Sequence, residues 1–575
     1  MGAKGRKKKN NTPESCKEQG NQAFQIGDLP RALQQYTKGL ELDPNHSVIL
    51  SNRSGVYVAM HQYEDALQDA LRAIQANPEW PKAYYRKAVA LLEMGMVNDS
   101  YEAVQEGLSV NSESPELLEL LKTVQEEKDQ DNALPPEHPE RAKFDNLLSW
   151  LKEGGAEFPK LKLKFYSEDY RGVHAGTFIP KNDCILYVPK SHIITLEMAY
   201  RTPIGSKMKK ARLNLLSPKH CFLSSFILQE TRKPDSFWKP YIEVLPEHFR
   251  SFPIFYTDEE KEWLAGSPFL DQIEEKIQDI QEDYETICNA VPEFAEFSVP
   301  EFSKFRMAVS SRIFGMEIDG VKTDGFVPYA DMLNHRRPRQ TSWTFDQERQ
   351  GFIIETLEDV PRGSEVMDSY GKKCNTRFLL NYGFIVRNND ANEYPFRIKL
   401  DENDPLFGIK RGLLQGRKND VLRVQADLEE RVFQEFFGLL RFVLLEDESI
   451  IPELIQNCHD EHSMHFKPGK LGPISPENEK KVLLHVKTLS EEGLKRYPNS
   501  LEEDKQILLE PSLTENNVNC VLMRMGEKEI LHWFVNLAET CLPLFEMNKK
   551  DAKKAAKGNV YDTYITHVII PMLKK

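Results

Sequence analysis

Lys17 and Asn21 stand four residues apart in a helical stretch, PESCKEQGNQAF, so both side chains leave one face. Lys82 and Arg86 repeat the spacing further on, and Asn52 falls between the two pairs. Lysine and arginine grip carboxylates through charge-assisted hydrogen bonds, and a carboxamide can hold a peptide backbone. The five residues therefore suit an acidic peptide. The plainer alternative is that the cations solvate a helix face. A second tract with reactive side chains is Cys458-His459-Asp460-Glu461-His462-Ser463-Met464-His465. It could be drawn as a metal site, but its polar setting reads as solvated loop, and no metal is expected.

Those side chains need elements to carry them. Pro44 and Pro78 each follow a helical stretch, GLELDPN and AIQANPE, and are 78 − 44 = 34 residues apart. A period of 34 is the tetratricopeptide spacing. In that frame Gly20, Ala32, Tyr36 and Gly39 correspond to Ser54, Ala66, Ala70 and Ala73. A third repeat, Lys82 to Ser114, places Ala88, Ser100, Val104 and Gly107 there. Small residues at those sites let paired helices approach, and stacked repeats bury a shared apolar face. An amphipathic helix from Pro115 to about Lys128 would cap the stack, giving a repeat domain over 13–128.

The stretch EEKDQDNALPPEHPER is charged, holds three prolines and has no apolar period, so 129–140 is expected to be a hinge between domains. Strand-like runs follow: KLKLKFY, GVHAGTFI and CILYVP. A mainly helical section occupies about 196–311, and strand-like text returns at GFVPYADMLNH, TSWTFD, GFIIETLEDV and SEVMDSYG. The order is one β domain interrupted by a helical insertion.

Asp331-Met332-Leu333-Asn334-His335, Asp368-Ser369-Tyr370-Gly371 and Asn381-Tyr382-Gly383-Phe384 resemble, in order, the signatures of SET domains. More narrowly, the chain from about 141 to 575 resembles the subfamily of the Rubisco large-subunit lysine methyltransferase and the actin-histidine methyltransferase. The resemblance implies a multidomain α+β chain. Its parts would be an N-terminal α-solenoid, a β-rich SET fold over 141–395 with its helical insertion, and a helical C-terminal substrate-binding domain over 400–575. Family members thread the C-terminal segment of the SET fold through a loop. The front repeats are similar to co-chaperone domains whose carboxylate clamp grips the acidic C-terminal tails of heat-shock chaperones. Lys17, Asn21, Asn52, Lys82 and Arg86 match the clamp position for position.

By this resemblance the cofactor is S-adenosylmethionine and the substrate a protein. Asn334 and His335 inherit cofactor binding, Arg312 the contact to the cofactor's carboxylate, and Asp331, Tyr370 and Phe384 further contacts. The glycine turn of the family, Glu-Gly-x-Gly, maps to Asp169-Tyr170-Arg171-Gly172 and keeps only its last glycine, so Asp169 and Arg171 stand at altered positions. Tyr370 matches the catalytic tyrosine, with Tyr382 as second wall and Phe314, Trp343 and Phe345 lining the substrate channel. Methyl transfer requires a deprotonated, aligned amine. Burial among aromatics lowers a lysine pKa, and a tyrosine hydroxyl can orient the nitrogen. The histidine-modifying relative carries smaller or polar residues where Phe314 and Tyr382 stand, which directs expectation to lysine. Met316 replaces a basic residue of the plant enzyme, so peptide preference does not carry over. Two alternatives are a histidine methyltransferase and a chaperone-binding adaptor with a non-catalytic SET half.

Bulk properties agree with a multidomain protein of soluble type. At 575 residues, length suggests about three or four domains. The chain is 40% hydrophobic and 29% charged, with no apolar run long enough to span a membrane and no secretory leader at its start. Arg6 stands where a myristoylation signal needs Ser or Thr. A net charge of −14 argues against nonspecific nucleic-acid binding. The eight cysteines are scattered without CxxC pairing, as in a reducing compartment, so a cytoplasmic location is expected. The basic run Lys4-Gly5-Arg6-Lys7-Lys8-Lys9 reads as a solvated tail or a nuclear signal.

Overall fold

The computed structural model describes residues 12–130, 138–166, 170–415, 419–460 and 463–573. At the front, caps and prolines set the helix starts. Thr12 accepts from the Ser15 amide at 3.2 Å ahead of Pro13, and Asp28 accepts from Arg31 at 3.2 Å. Six helices pair as α1 (Pro13–Gln25) with α2 (Leu29–Leu42), α3 (Ser47–Ala59) with α4 (Tyr63–Ala76), and α5 (Pro81–Glu93) with α6 (Val97–Val110). A seventh, α7 (Pro115–Gln130), packs on the last pair. The small residues of the 34-residue frame lie at the pair contacts. Ser54 donates to the Ala66 carbonyl at 2.8 Å, and Ser100 to that of Ala88 at 2.8 Å. A Cβ on Gly20 would stand 2.4 Å from the Tyr36 ring.

The chain divides into two compact units. One comprises Met1–Lys210, Phe222–Pro246 and Arg312–Gly371; the other Ala211–Cys221, Glu247–Ser311 and Lys372–Lys575. In the first unit α8 (Pro139–Glu153) leads into an antiparallel hairpin, β1 (Leu161–Phe165) with β2 (Arg171–Ala175). Two three-stranded sheets follow. β3 (Cys184–Pro189), β8 (Gly351–Thr356) and β7 (Thr341–Asp346) form one, with β8 central. β4 (Ile194–Thr195), β6 (Val321–Phe326) and β5 (Ile313–Ile318) form the other, with β6 central.

The repeats do not hang from a free hinge. Lys162 of β1 donates to the Gly95 carbonyl at 2.9 Å, and Thr177 to that of Glu93 at 2.8 Å. The rings of His61 and Phe178 stack at 3.5 Å. The C-terminal end of α5 is thus bonded to the segment that directly follows β2. The expected hinge runs into α7 on one side and α8 on the other, and its residues 131–137 lie outside the described residues.

Two strand expectations are corrected. GFVPYADMLNH leaves β6 at Phe326 and turns through Tyr329, whose φ is 73°, into a short 3₁₀ turn. SEVMDSYG makes only isolated bridges, His174 with Glu365 and His335 with Asp368. In the first, backbone groups close local turns, Asp331 onto Val327 and Met332 onto Tyr329; in the second they pair singly with distant segments instead of running along a ladder.

The second unit takes part of the helical insertion into its own core. Asp283, almost fully buried, accepts from the Leu216 amide at 2.6 Å and from Arg306 at 2.8 Å. Its C-terminal portion is not wholly helical. The hairpin β9 (Glu393–Lys399) with β10 (Asn419–Gln425) carries Phe396 into a core with Phe433, Phe436 and Phe534. β9 also crosses the boundary expected at 395. Among the described residues no helix is long and apolar enough to cross a membrane, and no group of potential metal ligands occurs. His462 of the Cys458–His465 tract lies outside the described residues.

Candidate active site

Two motifs far apart in sequence meet edge to edge. The Asp368 amide donates to the Asn334 carbonyl at 2.8 Å, and the Arg336 amide donates back to the Asp368 carbonyl at 2.8 Å. This two-bond bridge aligns Asn334 and His335 with Tyr370. The Tyr370 amide donates to His335 Nδ1 at 3.0 Å, so Nδ1 is an acceptor and a neutral ring carries its proton on Nε2. The two rings stack with centroids 5.1 Å apart. The Tyr370 hydroxyl donates to the Leu333 carbonyl at 2.8 Å. With its proton so directed, the oxygen can act as acceptor toward an incoming N–H.

A cationic corner adjoins this bridge. Arg312 closes the helix Val299–Arg312 and donates to Asp331 Oδ2 at 3.1 Å and to the Asp331 carbonyl at 3.2 Å. Tyr241 donates to the same carboxylate oxygen at 2.8 Å. Burial, and then the Asp331 charge, hold the Tyr241 hydroxyl well above its usual range. Arg171, first residue of β2, has its guanidinium 4.5 Å from the Phe144 ring centre. Burial first, then the charge of Arg312, pull it down to about 10. For Arg312 burial pulls downward most strongly, but Asp331, Tyr241 and Tyr370 together outweigh it, and its pKa is raised. Nε of Arg171, Nε of Arg312 and Oδ1 of Asp331 are all buried without a hydrogen-bond partner among the described residues. Two facing guanidiniums with unused buried donors fit a carboxylate, as an amino-acid-bearing cofactor would present.

Asn334 completes the corner. Its Nδ2 donates to Glu365 Oε1 at 2.7 Å and to the Arg171 carbonyl at 3.0 Å. Neither Glu365 nor Tyr241 was singled out from sequence, since each stands outside the motifs. Arg171, at an altered turn position, is brought into the site. Asp169 lies outside the described residues.

The aromatic residues divide. Phe314 and Trp343 meet edge to face at 5.4 Å, and both contact Phe352. Phe345 pairs across the ladder with Phe352 and is 5% exposed. Tyr382 and Phe384 belong to the second unit. Tyr382 ends the helix Asn375–Tyr382, which Gly383 closes at φ 78°, and the two rings lie 6.2 Å apart. Lys373 lies 5.7 Å from the Tyr382 ring centre, its pKa lowered by burial and by Arg377.

At the clamp, Asn21 Oδ1 accepts from Asn52 Nδ2 at 3.0 Å and from the Tyr36 hydroxyl at 2.6 Å. Arg86 packs over Gly55, where a Cβ would stand 2.8 Å from its guanidinium carbon. Its Nε is buried without a hydrogen-bond partner among the described residues, and burial lowers its pKa. Lys17 and Lys82 sit one turn ahead of Asn21 and Arg86, Lys82 being exposed.

The family model described as SET domain matches residues 170–371, and that described as Rubisco LSMT substrate-binding matches 401–531. The actin-histidine N-methyltransferase of Gallus gallus is 25% identical over 413 residues, covering 69% of this chain and 68% of the relative. That of Mus musculus is 24% identical over 409 residues, with the same shares. Among solved structures, the SET domain of LSMT bound to lysine and AdoHcy is similar with a TM-score of 0.59 at 20% identity. The match covers 74% of this chain and 98% of that one. Residues 170–371 thus match a SET domain and 401–531 a Rubisco LSMT substrate-binding domain, a pairing that supports methyltransferase activity, and helical repeats resembling tetratricopeptides precede them.

Proposed function

We propose that the chain is a protein-lysine N-methyltransferase that uses S-adenosylmethionine and recruits partners through its repeats. The observation that carries this reading is the pairing of Tyr370 with Leu333 and His335 beside the cationic corner of Arg171 and Arg312. The cofactor, when bound, supplies an electrophilic methyl group on a sulfonium. Arg171 and Arg312 would hold its carboxylate, with Asn334 and His335 beside them. Tyr370 accepts an N–H of the acceptor amine and keeps the nitrogen lone pair in line with the methyl. On transfer the amine nitrogen would take the methyl from sulfur, which would keep the electron pair of the broken bond, and the amine's extra proton would leave to solvent. Alignment of this kind supplies much of a displacement's rate. An apolar wall of Phe314 and Trp343 favours the neutral amine that must react.

Lysine is favoured by the aromatic side chains at Phe314 and Tyr382. Histidine is the second reading, carried by the relatives' activity. Incubation with radiolabelled cofactor and cell extract, followed by total hydrolysis, separates the two. We expect methyl-lysine; methyl-histidine as the sole product would overturn the lysine assignment. Absence of cofactor binding by calorimetry would instead favour a non-catalytic adaptor. For the repeats we propose that the clamp takes the acidic C-terminal tails of heat-shock chaperones, supported by the hydrogen-bonded pair Asn21 and Asn52 and by the buried Nε of Arg86. We place the protein in the cytoplasm, with the nucleus also open to it, and fluorescence imaging of the tagged full chain would test this.

A further inference from the structure

β2 has β1 on one side and, on the other, the segment Gly363–Val366. The Val366 amide donates to the Val173 carbonyl at 2.7 Å, and the Gly363 amide to that of Ala175 at 2.8 Å. This register pairs Glu365 with His174 and lays its side chain against Gly172. A Cβ at Gly172 would stand 2.3 Å from Glu365 Oε1, so the one glycine retained from the family turn is where a carboxylate needs the space. On its far side the Glu365 carboxylate lies against the Tyr166 hydroxyl. Burial and then the Glu365 charge push that hydroxyl up to about 12. Tyr166 in turn meets His174, whose Nδ1 lies 2.7 Å from the Gly363 carbonyl.

Within this seat Oε1 accepts from Asn334 Nδ2 at 2.7 Å, while the Arg171 carbonyl takes the other hydrogen at 3.0 Å. A carboxylate and a carbonyl are acceptors only, so the amide of Asn334 has one permitted orientation. Its two donors point to protein and its Oδ1 points away from them.

We propose that Glu365 is a positioning residue, fixing the Asn334 amide so that Oδ1 is offered to the α-ammonium of the cofactor. The inference rests on the cofactor assignment above. Charge is then sorted at the corner: the guanidiniums of Arg171 and Arg312 take the carboxylate, and an acceptor oxygen takes the ammonium. Without the Glu365 acceptor the amide can settle with Nδ2 turned toward that ammonium, and the donor-to-cation repulsion would cost affinity for the amino end alone.

The test is calorimetric binding of S-adenosylhomocysteine and of its analogue lacking the α-amino group, with the full chain. Wild type should bind the former. If it binds neither, the cofactor assignment itself fails. Glu365→Met keeps length and loses the acceptor; it should weaken S-adenosylhomocysteine on the order of ten- to a hundredfold, with the analogue's affinity unchanged within about twofold. Glu365→Gln keeps an acceptor oxygen and should bind both ligands as wild type does. In an Asn334→Ala background Glu365→Met should have no further effect. Equal losses for both ligands, or full affinity in Glu365→Met, would show that Glu365 merely props the hairpin and would overturn the proposal. Should Glu365→Met not fold, the Gln variant decides: a loss confined to S-adenosylhomocysteine or shared by both ligands would overturn it.

Discussion

The backbone amide of Tyr370 donates to Nδ1 of His335 at 3.0 Å, and the two rings stack. The ring of Tyr370 is thus held by contacts that do not involve its hydroxyl, which is bonded separately to the Leu333 carbonyl. Tyr370→Phe keeps the stack and the amide bond and removes only the group that meets the amine. We expect cofactor affinity within about threefold of wild type and transfer reduced on the order of a hundredfold, read by calorimetry and radiolabelling. Normal labelling by this variant would remove Tyr370 from the reaction.

The clamp gives a prediction that charge removal alone does not. Lys82→Ala with Arg86→Ala should abolish binding of an acidic chaperone-tail peptide. A change that leaves both charges in place should weaken it. Gly55→Ala puts a methyl 2.8 Å from the Arg86 guanidinium carbon and must displace it. We expect tail-peptide affinity to drop about tenfold, while a peptide with an amidated terminus binds weakly throughout. Unchanged affinity in the double variant would leave the repeats without this ligand.

The motif residues Asn334, His335 and Tyr370 were legible because the chemistry they share is local to short, ordered segments. Glu365 and Tyr241 were not. Each reaches the site through a tertiary bond, Glu365 across 31 residues to Asn334 and Tyr241 across 90 residues to Asp331. The 34-residue period placed the helix pairs through Gly20, Ser54 and Ser100, since close helix contact excludes larger side chains. SEVMDSYG misled as a strand because apolar alternation cannot tell a ladder from two single bridges.

The seat of the repeats on the SET half rests on one glycine. Gly95 has φ 75°, and a Cβ there would stand 2.2 Å from the Gly176 carbonyl. Gly95→Ala should therefore destabilise the first unit by about 1–3 kcal/mol and separate α5 from the segment after β2. That segment continues the strand bearing Arg171, and α5 is about 20 Å long with Arg86 near its middle. The variant should show faster amide exchange at Thr177 and Phe178 by mass spectrometry. Protection equal to wild type would mean the seat is set elsewhere.

Stability should also fall as pH rises toward neutrality, for a reason held in the second unit. Glu527 is 5% exposed and accepts from Ser267 and Tyr497, both at 2.9 Å. Burial raises its pKa from 4.5 to about 7. The folded chain thus keeps a proton that the unfolded chain releases between those values. Stability declines as pH climbs through that window, by ~3 kcal/mol for the full shift, and this contribution is flat above it. Neighbouring charges on Lys528 and Arg524 oppose the shift without cancelling it. Glu527→Gln keeps the volume and cannot ionise. Denaturant unfolding at pH 5 and pH 8 should show the Gln variant gaining on wild type as pH rises. Parallel curves for the two proteins would mean that Glu527 is ionised in the folded chain across the range.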